Sequence, residues 1–80
     1  MVLKITYKSS ETEMNKNQIV KRIIRARKSL EWPTTKAAEK ASVSQPTWWR
    51  VENGKVDPTW ELLFQMCKAV GIKAVVTLQE

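Results

Sequence analysis

The 80 residues include no histidine, one cysteine, two glycines and three prolines. Without histidine there is no Ser-His or Cys-His nucleophile pair and no imidazole metal ligand. The lone Cys67 forms neither an intrachain disulfide nor a thiolate zinc site. The expectation is a protein that is not an enzyme and that holds no metal and no cofactor. No apolar run exceeds four residues, well short of a membrane span, and residues 1–8 lack the apolar stretch of a signal peptide. A soluble, cytoplasmic chain with no membrane partner is expected.

What is present points to a small globular domain. A chain this short cannot divide its apolar surface between two cores, and 42% hydrophobic with 28% charged residues is ordinary for a folded domain. The formal charge is +6, which makes polyanions the first partners to consider. That charge is unevenly spread. Ten of the 14 cations (Lys16, Lys21, Arg22, Arg25, Arg27, Lys28, Lys36, Lys40, Arg50 and Lys55) stand in residues 16–55 beside three acids, Glu31, Glu39 and Glu52, so this stretch carries +7 and the remainder −1.

The chain reads in three parts. Residues 1–17 combine an alternating segment, with Leu3, Ile5 and Tyr7 on one side and Val2 and Lys4 on the other, and a polar linker over residues 9–17. Residues 18–72 turn helical. Ile19, Ile23, Ala26 and Leu30 give one buried stripe, and Pro33 ends that helix. A short helix follows from Thr34, with Ala37, Ala38 and Ala41 permitting close approach. Ser44 then caps a third helix with Pro46 in its first turn and Asn53-Gly54 at its end. A fourth starts after Asp57-Pro58-Thr59 and places Trp60, Leu63, Phe64, Cys67 and Val70 on one face until Gly71. Residues 73–80 continue a strand-favouring tail with Ile72, Ala74, Val76 and Leu78 on one side. Leu3, Ile5, Val76 and Leu78 are the expected dimerisation positions, because lone terminal strands pair with each other or with a second subunit.

Two short helices joined by a tight turn within a basic surface form a helix-turn-helix arrangement. Residues 18–72 resemble the helix-turn-helix domain of phage-repressor and Xre-like bacterial regulators. The resemblance rests on Val43-Ser44-Gln45, Val51-Glu52-Asn53-Gly54-Lys55, Pro58, Leu63 and Val70-Gly71-Ile72, which fall at the family's spacings without a gap. The tail KAVVTLQE directly after the last helix makes the layout similar to HipB-like antitoxins. The fold class implied is mainly α: a lambda-repressor-like domain of four to five helices with short N- and C-terminal β-strands.

The resemblance also implies roles. Gln45, Thr47, Trp49 and Arg50 would face base edges of double-stranded DNA, where an amide matches adenine and a guanidinium matches guanine. Thr34, Asn53, Lys55 and Arg27 would contact phosphates, and Arg27 with Glu52 would form an ion pair linking the first helix to the end of the third. Trp49 has two readings, the groove or a partner protein. Departures stand at four positions. Ala37 replaces the usual leucine and Trp48 the usual isoleucine or valine, a compensated exchange of volume. Ser42 takes the turn position usually held by glycine, and Thr34 that of a leading glutamine. The function implied is a homodimeric DNA-binding transcriptional regulator, bacterial or phage-encoded, either a repressor or an autoregulating antitoxin. The alternative is an interaction module, an antitoxin or adaptor holding a partner protein such as a toxin or co-regulator.

Overall fold

A capping box sets the start of the first helix. Asn15 accepts from the Gln18 backbone N–H at 2.9 Å through its side chain, and the Gln18 side chain accepts from the Asn15 backbone N–H at 3.0 Å; together they satisfy two donors that a helix otherwise leaves open. The computed structural model describes the backbone of residues 2–7 and 10–77 and the side chains of residues 14–74. Its elements in order are β1 (Val2–Tyr7), β2 (Ser10–Glu13), α1 (Lys16–Ser29), α2 (Thr34–Ala41), α3 (Gln45–Glu52), α4 (Trp60–Ala69) and β3 (Ala74–Thr77).

The region expected to be a polar linker departs from that expectation. Ser10–Glu13 is a strand, antiparallel to β1 with Tyr7 opposite Ser10 and Lys4 opposite Glu13, and α1 begins two residues before Gln18. A four-residue edge strand is held by backbone hydrogen bonds to its neighbour, so its side chains need no apolar alternation. β1 also pairs antiparallel with β3, placing Leu3 opposite Val76 and Ile5 opposite Ala74 in the same chain. The sheet order is β2-β1-β3, so β1 is the middle strand and Ile5 has neighbours on both sides, Thr12 and Ala74. Leu78 lies outside the described residues.

One helix stripe from each of α1 to α4 closes the core. Ile19 and Ile23 of α1, Ala37, Ala38 and Ala41 of α2, Trp48 and Val51 of α3, and Leu63, Met66 and Cys67 of α4 with Val70 just after it form one buried cluster. Each large apolar side chain so buried contributes roughly 1.5–3 kcal/mol. Trp48 is fully buried, as is Ala37, so the large and the small departures lie in one core. Cys67 sits in the same apolar cluster, and burial pushes its thiol up to about 12. It behaves as a small hydrophobe.

The helix ends follow from single residues. Ser42 ends α2 at φ 58 and ψ 38, the left-handed region, and the Val43 N–H reaches back to the Ala38 carbonyl at 3.0 Å. This is the closure a glycine usually makes, here at a cost of roughly 1 kcal/mol for the side chain. Gly54 repeats it after α3 with φ +66, the Lys55 N–H donating to the Arg50 carbonyl at 2.8 Å. Thr59 starts α4 by accepting from the Leu62 N–H at 3.1 Å.

Candidate nucleic-acid interface

α3 presents two unlike sides. Trp48 and Val51 are buried. Pro46, Trp49, Arg50 and Asn53 stand at i, i+3, i+4 and i+7, one continuous helix face, and all four are exposed. Trp49 retains 46% of its surface and is the most exposed of the large hydrophobic residues described. A hollow of about 390 Å³ lies on this face, lined by Gln45, Pro46, Trp49 and Arg50.

The N-terminal turn of α3 is fixed by short polar bonds. Ser44 Oγ accepts from the Thr47 N–H at 3.2 Å and lies 2.7 Å from Thr47 Oγ1. Gln45 Nε2 donates to Thr34 Oγ1 at 3.1 Å. The first residue of α2 therefore orients the first residue of α3 while leaving the second amide N–H and Oε1 of Gln45 uncommitted by that bond. The first turns of both α2 and α3 contain no acid, so no carboxylate competes there for the positive end of the helix dipole. At the other end of α3, Asn53 Nδ2 donates to the Trp49 carbonyl at 2.9 Å, and Lys55 is exposed just beyond.

Glu52 joins α3 to α1. Arg27 Nε donates to Glu52 Oε2 at 2.6 Å and Arg27 Nη2 to Glu52 Oε1 at 3.0 Å, the forked geometry that suits a guanidinium to a carboxylate. Arg27 Nη1 donates to the Trp32 carbonyl at 2.8 Å, and the Trp48 indole N–H donates to Glu52 Oε2. The Arg27 and Glu52 side chains are 13% and 8% exposed. Arg27, expected at both an ion pair and a phosphate, thus has a donor from each of its three nitrogens committed to protein acceptors. Thr47 differs from its neighbours as well, being half-buried with its hydroxyl against Ser44.

A family model described as a helix-turn-helix domain matches residues 19–78. The chain belongs to the helix-turn-helix domain family. In this helix-turn-helix domain α2 and α3 are the two short helices, and the turn between them comprises residues 42–44. No curated protein matches the sequence. Among the described residues no helix is long and apolar enough to cross a membrane, and no group of three or more His, Cys, Asp or Glu side chains could hold a metal ion.

Reasoning from sequence places Gln45, Thr47, Trp49 and Arg50 together, and the structure lines one hollow with Gln45, Trp49 and Arg50 but not with Thr47. It missed Pro46, which served only as a helix-start signal although its exposed ring joins the same face. It also missed the Trp48 bond to Glu52. The spacing of four residues was the available signal, since i and i+4 side chains meet on a helix.

Proposed function

We propose that this domain is a sequence-specific, double-stranded DNA-binding transcriptional regulator that inserts α3 into the major groove and works as a homodimer. The observation that carries the reading is the exposed i, i+3, i+4, i+7 face of α3, with Arg50 on it and Gln45 held at its edge by Thr34. Gln45, Trp49 and Arg50 meet base edges, with Thr47 at the flank. Thr34, Asn53 and Lys55 meet phosphates on either side of the groove and set the orientation. Arg27 braces α3 through Glu52 with three of its five N–H donors, and the two that remain on its terminal nitrogens serve a phosphate beside it.

Two features favour the dimer. β3 lies at the end of the sheet order with only β1 beside it, and its sequence AVVT carries no charge or proline to discourage strand pairing. The opposite edge, β2, carries Glu11 and Glu13. A second subunit therefore adds at Val76 and its neighbours in β3, while Leu3 and Ile5 of the middle strand support that edge from within the chain. Repression or antitoxin-like autoregulation, through occupancy of the operator, is the mode that goes with this reading.

The test is selection of sites from a random duplex-DNA library at near-physiological salt, with the native protein and with Arg50→Ala. Enrichment of an inverted repeat with half-sites about one helical turn apart, and altered bases in the variant, supports the reading. Salt-sensitive binding without any enriched sequence overturns it, since electrostatic attraction to phosphates needs no sequence.

A further inference from the structure

We propose that Trp49 and Pro46 form an apolar platform that reads the C5-methyl group of a thymine, setting sequence preference at a base step between those met by Gln45 and Arg50. The inference rests on α3 being the groove-facing helix. Two adjacent tryptophans have opposite fates. Trp48 is fully buried with its indole N–H bonded to Glu52, whereas Trp49 keeps 46% of its surface exposed. The core therefore already has its large side chain, and Trp49 contributes apolar surface outward, where water is a poor partner for it. Pro46 stands one turn earlier on the same face and is exposed. Its ring has no backbone N–H to offer, so this spot also presents only hydrocarbon.

The surroundings narrow what such a platform can select. Gln45 and Arg50 line the hollow together with Pro46 and Trp49, and by helical spacing they flank that pair, so polar readout is available at both ends and not in the middle. Along the major groove each base edge presents donors or acceptors, and the one apolar group is the thymine methyl. An apolar wall against any other edge would strip water from polar atoms without replacing their hydrogen bonds. Trp49 lies four residues along α3 from Gln45, roughly 6 Å of helix rise, which places the methyl within about two base pairs of the base that Gln45 meets. The Trp49 carbonyl accepts from Asn53 Nδ2 at 2.9 Å, so the backbone carrying the indole is held at the end of the helix.

The experiment takes the selected duplex and replaces each thymine in turn by deoxyuridine, which removes the methyl and keeps the adenine pairing. Affinities are measured for the native protein, Trp49→Ala and Trp49→Phe. One position per half-site should weaken native binding roughly fourfold on losing its methyl, the value of one buried carbon. Trp49→Ala should bind both duplexes equally, and Trp49→Phe should keep part of the difference. A sequence-specific complex in which no thymine methyl matters would overturn this inference and leave the DNA-binding reading standing. Methyl sensitivity that persists in full in Trp49→Ala would do the same. Failure of the library to yield any sequence would overturn both.

Discussion

Replacing Glu52 with alanine would remove the acceptor shared by the Arg27 guanidinium and the Trp48 indole. With the Arg27 side chain only 13% exposed, its charge would be left largely out of water. Breaking a buried ion pair from one side costs about 3 to 5 kcal/mol. Arg27 keeps its bond to the Trp32 carbonyl and some access to solvent, which favours the lower end. The stranded indole N–H adds about 1 kcal/mol, and because all three groups share one network the terms do not simply add. The expected loss for Glu52→Ala is therefore about 3 to 4 kcal/mol, a large share of the roughly 4 to 12 kcal/mol that holds a domain of this length. Glu52→Gln, which keeps an acceptor oxygen, should lose about 1 to 2 kcal/mol. The double variant Arg27→Met with Glu52→Leu should recover most of the loss, since two apolar side chains need no partner. Urea unfolding followed by far-ultraviolet circular dichroism measures all three. A loss below about 1 kcal/mol for Glu52→Ala, or a double variant as unstable as the two single changes combined, would refute the account of Glu52 as the joint between α1 and α3.

Trp48→Ala should destabilise by roughly 3 to 5 kcal/mol in the same assay, and a loss under about 1 kcal/mol would contradict a buried Trp48. Ser42→Gly should raise stability by about 0.5 to 1 kcal/mol, because glycine adopts the left-handed turn without strain; an unchanged or lower midpoint would count against strain at that turn. Cys67 is pushed up to about 12 from its ordinary 9.0, so the unfolded chain gives up the thiol proton first. Its contribution is fully present below about pH 9 and declines as pH rises toward about 12. Comparing native and Cys67→Ala unfolding on either side of pH 9 should show the decline only where the thiol is present.

The helices were legible in the sequence because each announces its ends chemically: Ser44 with Pro46, Asn53 with Gly54, and Thr59 after Pro58 are start and stop signals around a stripe of period 3.6. β2 was not, because SETE has no apolar alternation and owes its conformation to the backbone of β1. Asn15 and Gln18 spelled a helix start, yet in a polar setting they read as linker. At the interface, Arg50 and Trp49 stood out by type and spacing. The bond from Gln45 to Thr34 joins residues eleven apart on different helices, and such a contact depends on the angle between those helices, which no local pattern encodes.

Gln65 carries a consequence of another kind. Its Nε2 donates to the Ala41 carbonyl at the last residue of α2, from 24 positions further along the chain. The end of α2 is thus tied off by a side chain of α4, and the bend between α2 and α3 is gauged from outside the bend itself. The two-helix unit is then not a portable cassette. Transplanted into another scaffold without α4, residues 34–52 would carry Gln45, Trp49 and Arg50 but lose the strut that sets their pitch, and a graft faithful to this geometry has to bring Gln65 with it.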